Sequence, residues 1–185
     1  MINEILEDAE TRMKGAIHSL EADLATFRTG RASPHLLDRI VVEQYGVEMK
    51  LVQLAVISVP EPQQIAIRPY DTSSLSAIER AIMKSDLGIM PNNDGKIIRL
   101  ILPRLTEERR RDLSRMAGRR VEDGKVAVRN VRRDANHDLK ELKEESMISE
   151  DEHKKAHADM EDLTKKYIDM IDAIAKAKEA EIMEV

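Results

Sequence analysis

The sequence predicts an α+β protein, a long three-helix bundle with a small β/α/β domain inserted between its first and second helices. Three observations carry this. Apolar residues recur every three or four positions over residues 2–27, again from Leu113 to Leu142, and a third time from Met160 to Ile182. That is the period of one buried helix face. Between the first two stretches the chain turns into short β-branched runs separated by Gly or Pro, which read as strands. Three apolar stripes are most simply buried against one another. The expected domains are therefore residues 1–29 with 106–185, a discontinuous bundle, and residues 31–103, the insert.

The first stripe is Ile2, Ile5, Leu6, Ala9, Met13, Ala16, Ile17, Leu20, Leu24 and Phe27. It ends in "FRTGRASP", residues 27–34. Gly30 lies where a left-handed cap is wanted, and Pro34 forbids continuation. Next, "RIVVEQYG", "KLVQLAVISV" and "QQIAIRPY" read as strands. "SSLSAIERAIMKSDLG" reads as a helix capped by Ser73 or Ser74 and stopped by Gly88. "MPNNDGK" is a turn and "IIRLIL" another strand. Helical texture returns at Leu105, with Thr106 as N-cap and Glu107 and Glu108 suited to the positive end of the helix dipole. The expected stripe is Leu113, Met116, Ala127, Val131, Ala135, Leu139 and Leu142. It is weak between 117 and 126, where Gly118 and Gly124 each cost about 1 kcal/mol against Ala. "SMISEDE" breaks the helix, and Ser149 with Glu152 makes a capping box for the last one. That helix carries Met160, Leu163, Tyr167, Met170, Ile171, Ile174 and Ile182.

Two crossings join the domains, Thr29–Gly30–Arg31 and Leu102–Pro103–Arg104. Gly30 and Pro34 are explained as a helix stop. Two short crossings also suit a hinge at 29–31 and 102–105, made by Gly30, Arg31, Pro103 and Arg104.

Composition narrows the function. With no Cys, the chain has no disulfide framework and no thiol nucleophile. An acidic, helix-patterned start argues against a signal peptide. Runs such as "LAVISV" are too short to cross a bilayer, so a soluble cytoplasmic protein is expected. One Phe, three Tyr and no Trp make base stacking an unsuitable mode of nucleic-acid binding. The net charge of −5 is unevenly spread. Residues 104–133 carry 11 basic and 5 acidic side chains, whereas 134–185 carry 8 and 16. A basic block inside an acidic chain is more informative than the sum.

No phosphate loop, G-x-S-x-G or H-E-x-x-H motif is present, and no catalytic residue or cofactor is expected. His153 and His157 are four apart, but "EDEHKKAH" offers no shielded third ligand, so no metal site is expected either. The carboxylates of the last helix have the spacing of a solvated face, which disfavours a hydrolase built on them. Arg111, Arg115 and Arg119 are successive i,i+4 neighbours, and Lys125, Arg129, Arg132 and Arg133 continue along nearly the same side. Guanidiniums so arranged suit phosphate. They could instead pair with the acidic first and third helices. A coiled-coil adaptor is a further alternative, and it would leave apolar stripes exposed.

"RTGRASP" (28–34), "SDLGIMPNNDG" (85–95), "LPRLTEERRRDL" (102–113), "VRNVRRDAN" (128–136) and "ISEDE" (148–152) together resemble the bacterial ribosome recycling factor family. The resemblance covers essentially the whole chain. It implies a near-L-shaped monomer that binds the large ribosomal subunit through rRNA. With elongation factor G, such a protein separates the subunits after termination, so that mRNA and deacylated tRNA leave. GTP hydrolysis belongs to that partner. A helix of about 40 residues spans about 60 Å, comparable to a tRNA arm. By the resemblance, rRNA contact falls to Arg129, Arg132 and Arg133, and less directly to Arg28 and Arg31. Gly124 is a departure, since a better helix former is expected there.

Overall fold

A computed structural model describes residues 1–184. They fall into two compact units, Met1–Thr29 with Glu107–Glu184, and Gly30–Thr106. Gly30 and residues 104–106 thus cluster with the inserted unit.

The first unit is built from α1 (Ile2–Ala25), α4 (Glu107–Glu144) and α5 (Glu150–Met183), with α2 (Leu51–Leu54) and α3 (Leu75–Lys84) belonging to the insert. Each of the three packs on the other two. α1 buries Ala9, Met13, Ile17, Leu20 and Leu24, as the spacing anticipates. α4 departs from expectation in its middle. Its buried face is Leu113, Ala117, Val121, Gly124, Val128, Val131, Ala135 and Leu139. Met116 is exposed and Ala127 is half-buried. The stripe is therefore continuous through 117–126, and small residues carry it. Gly124 is no weakness in the packing, since a Cβ there would stand 3.3 Å from Leu20 Cδ2 and 3.7 Å from Ile171 Cδ1. The glycine lets α4 come close to both neighbours, and the backbone-entropy cost of Gly is met by that approach.

α5 buries Ala156, Met160, Thr164, Tyr167, Ile171 and Ile182, while the expected Met170 lies exposed. Thr164 is buried because its hydroxyl donates to the Met160 carbonyl at 2.8 Å, which satisfies the one polar atom that burial would strand. The capping box forms as expected. Glu152 N–H donates to Ser149 Oγ at 3.2 Å and Ser149 N–H to Glu152 Oε2 at 2.7 Å. Those bonds hold the Glu152 carboxyl below its ordinary range.

In the second unit, Pro34–Leu37 form a 3₁₀ turn whose cap is Ser33, which accepts from His35 N–H. β1 (Val41–Gln44) and β2 (Val47–Lys50) make a hairpin. Its two turn residues, Tyr45 and Gly46, both have positive φ, 54° and 73°. That is the turn whose twist matches the strands. The expected strand "KLVQLAVISV" is divided. Leu51–Leu54 form one helical turn, α2, and only then does β3 (Ala55–Glu61) begin. The turn seats Leu51 fully in the core, a tertiary gain that outweighs the strand propensity of the run.

β3, β4 (Gln64–Pro69), β6 (Ile98–Ile101) and β5 (Asn92–Asn93) form an antiparallel sheet in the order β3-β4-β6-β5. Asn92–Asn93, expected within a turn, is thus a short edge strand. Ile65 pairs with Leu100 and Ile67 with Ile98, all four fully buried on one face. α3 (Leu75–Lys84) adds Leu75, Ile78 and Ile82 to that core. Its start is organised by Asp71, which accepts from Ser73 N–H at 3.0 Å. Ser74, expected as a cap, instead donates its hydroxyl to Gln44 Oε1 at 2.8 Å. The turn before β6 closes on Asp94, which accepts from Lys96 N–H, Ile97 N–H and Arg99 Nη1 at 2.8–2.9 Å. These donors lower its carboxyl to about 2.

Candidate nucleic-acid interface

The basic residues of α4 sort by their angle around the helix. Successive residues turn by about 100°, so positions two away from a buried residue point roughly opposite to it. Arg115, Arg119 and Arg133 stand two from Leu113 or Ala117 and Ala135, and all three are exposed. Arg111 and Arg129 are exposed beside them. Arg119 and Arg133 make no ion pair among the described residues. Arg111 pairs with Glu107, and Arg115 lies 3.9 Å from Asp112. Arg129 Nη1 is 3.4 Å from Glu122, an acid on its own helix.

Lys125 and Arg132 sit one step round towards α5 and behave differently. Lys125 Nζ meets Asp172 at 2.7 Å and is only 21% exposed. Arg132 Nη1 lies 3.8 Å from Glu161, a long contact that leaves the side chain 36% exposed. On the opposite flank, Arg12 of α1 donates to Asp134 of α4 at 2.7 Å, which raises the guanidinium pKa. Between α5 and α1, Tyr167 and Lys166 both reach Glu10, at 2.9 and 3.5 Å. Flanking charges thus bridge the helices, as the pairing alternative anticipates, while the outward arginines pair within α4 or not at all. An outward guanidinium with no partner keeps all its donors for an external acceptor.

Arg28 and Arg31 are exposed on the first crossing, away from α4 in sequence. Gly30 has φ +76°. A Cβ on it would meet Leu105 Cγ and Pro103 O at 3.5 Å, ordinary contact, so the backbone angle rather than space favours glycine. Pro103 and Arg104 are exposed, and Arg104 Nε donates to Gln63 Oε1 at 3.4 Å. The His153 and His157 rings are 6.4 Å apart and tilted. Among the described residues, the one group of three metal-capable side chains is His137, Asp138 and Glu141, all exposed. There His137 Nδ1 lies 3.9 Å from Asp138 and 3.8 Å from Glu141. Among the described residues, no helix is long and apolar enough to cross a membrane.

Sequence reading missed the interhelical pairs, because Arg12 with Asp134, Lys125 with Asp172 and Lys166 with Glu10 join positions far apart in the chain. It also missed that Lys125 belongs to the flank. Counting in steps of 100° from Val121 and Val128 would have found this.

Residues 20–183 match the ribosome recycling factor family. The chain belongs to that family. Ribosome-recycling factor of Halalkalibacterium halodurans is 55% identical over 185 residues, all of both chains. That of Roseiflexus castenholzii is 50% identical over the same span. Among solved structures, the solution structure of a ribosome recycling factor is 44% identical, with a TM-score of 0.75 over 100% of this chain and 98% of its own. A second, the T. thermophilus ribosome recycling factor with E. coli elongation factor G bound to the E. coli post-termination complex, is 41% identical. Its TM-score is 0.65, over 99% of each chain. Ribosome recycling factors are translation factors, and the α+β architecture of long helices with a small sheet unit is theirs.

Proposed function

We propose that this chain binds the post-termination ribosome and, with elongation factor G, promotes subunit separation and the release of mRNA and deacylated tRNA. The observation that carries this is family membership over residues 20–183, with a relative 55% identical over all of both chains. A relative in complex with elongation factor G on a post-termination complex supports the partner. The chain acts by binding and not as an enzyme, and the GTPase supplies the hydrolysis. It needs no cofactor and works as a monomer in the cytoplasm. Arg129, Arg132 and Arg133 contact rRNA phosphates, with Arg28 and Arg31 as lesser contacts, and Arg119 extends the same outward line. Phosphate contact of this kind positions a protein without reading sequence. Residues 29–31 and 102–105 act as the hinge between two separately folding domains.

The test is splitting of purified post-termination ribosomes, followed by light scattering, with elongation factor G and GTP. Splitting should need both proteins. Ribosomes left intact at saturating concentrations of both would sink the proposal.

A further inference from the structure

α1 ends at Ala25; Thr26 and Phe27 still donate their N–H groups to the Asp23 and Leu24 carbonyls at 3.2 Å, and Arg28 and Thr29 then leave the helix. Two residues past the last helical hydrogen bond would ordinarily form a slack tether. Here the last of them is pinned. Thr29 Oγ1 donates to Glu181 Oε1 at 2.8 Å. The other carboxylate oxygen of Glu181 lies 3.3 Å from Lys178 Nζ, one turn back on α5. The Lys178 side chain is only 11% exposed and that of Glu181 29%. A cation so far removed from water holds its counter-ion firmly, and Lys178 makes no second ion pair among the described residues. Glu181 is therefore fixed from one side and grips Thr29 with the other.

Three residues on, the chain is pinned again, now within the inserted unit. Ala32 is buried, and its N–H donates to the Pro62 carbonyl at 2.7 Å. Between the two pins stand only Gly30, at φ +76°, and Arg31.

We propose that Thr29, Glu181 and Lys178 form a latch that ends the bundle rigidly at Thr29 and sets the pivot of the first crossing at Gly30. These are positioning residues for recycling. Force applied to the inserted unit then turns the pivot instead of unravelling residues 26–29. The inference rests on the hinge reading given above.

The experiment uses the full chain with Thr29→Val, which keeps the shape and removes the donor, and Thr29→Ser, which restores it. Trypsin cleavage after the exposed Arg28, read as the 1–28 fragment by mass spectrometry, should be about tenfold faster in Thr29→Val, because cleavage follows the opened population. Thr29→Ser should cleave as the unaltered chain does. In the splitting assay, Thr29→Val should lower the maximal rate severalfold and leave the half-saturating concentration unchanged, with Thr29→Ser restoring the rate. Unchanged cleavage in Thr29→Val overturns the latch. Faster cleavage with an unchanged maximal rate overturns its role in positioning. If the unaltered chain does not split ribosomes, the functional reading fails, while the cleavage comparison still decides the latch.

Discussion

Gly124 of α4 lies so close to Leu20 of α1 that a Cβ on the glycine would stand 3.3 Å from the Leu20 Cδ2 methyl. Gly118, nearly two turns earlier on the same helix, has nothing within 4 Å of the same position. The two glycines therefore respond oppositely to substitution. Gly118→Ala should gain about 1 kcal/mol from helix propensity, a rise of about 2–4 °C in melting temperature. Gly124→Leu should lose about 1–3 kcal/mol through overpacking, since Leu20 and Ile171 are both buried and cannot move aside. Thermal melts of both variants check this, and a stabilised Gly124→Leu would refute the close-packing account.

Most of the fold was legible because its signals are local. Helix period, the Ser149–Glu152 cap and the strands Gln64–Pro69 and Ile98–Ile101 depend on residues within a few positions of one another. The middle of α4 was misread because Ala117, Val121, Gly124 and Val128 are small. Small residues give a weak apolar signal, yet they are what a close helix crossing needs. The helical turn at Leu51–Leu54 was misread for a different reason, because its apolar run favours a strand and only the core position of Leu51 overrides that. For the candidate site, outward placement of Arg129 and Arg133 was readable from spacing. The engagement of Lys125 with Asp172 was not, since it depends on how α5 lies against α4.

Tyr167 is 2% exposed and donates its hydroxyl to Glu10 Oε1 at 2.9 Å. Burial, and then the adjacent carboxylate, push its pKa up to about 12. Unfolding returns it to about 10. Between those values the unfolded chain has lost the proton and the folded one has kept it, so stability falls as pH rises. The loss is on the order of 2–3 kcal/mol. Glu10 is shifted the other way, lowered first by the Tyr167 hydrogen bond. Its contribution is present above the ordinary carboxylate range and disappears as pH falls through the lowered value. Tyr167→Phe should flatten the decline above pH ~10 relative to the unaltered chain. Denaturant unfolding at pH 8, 10 and 11.5 measures it, and identical slopes would remove the assignment.

Gly30 tests the hinge. Its φ of +76° is one that side chains with a Cβ resist. Gly30→Ala should cost about 1 kcal/mol locally, and Gly30→Val more. Because Leu105 and Pro103 leave ordinary contact room at 3.5 Å, the cost is in the backbone. Gly30→Val should slow ribosome splitting more than it lowers the bundle's melting temperature. A variant that splits ribosomes at the unaltered rate would reduce Gly30 to a tolerant cap.

The arginines divide by what already holds them. Arg133 makes no ion pair among the described residues, whereas Arg132 keeps a 3.8 Å contact with Glu161. An exposed charge contributes little to folding, about 0–1 kcal/mol even when paired, so neither Arg132→Ala nor Arg133→Ala should move the melting temperature appreciably. Each should weaken large-subunit binding and make its dependence on log salt shallower, by about 0.7–0.9 for each phosphate that the variant no longer neutralises. Arg132→Lys should recover only part of the affinity, since a point charge cannot make the two-pronged contact. Glu161→Gln separates the two roles of Arg132. If Glu161 competes with phosphate for the guanidinium, removing its charge should tighten binding, and that gain should vanish when Arg132 is also Ala. Binding titrations at several salt concentrations decide it. An Arg132→Ala chain that binds as tightly as the unaltered one, with the same salt slope, removes Arg132 from the interface. An Arg132→Ala chain that unfolds shows instead that the pair with Glu161 holds α4 and α5 together.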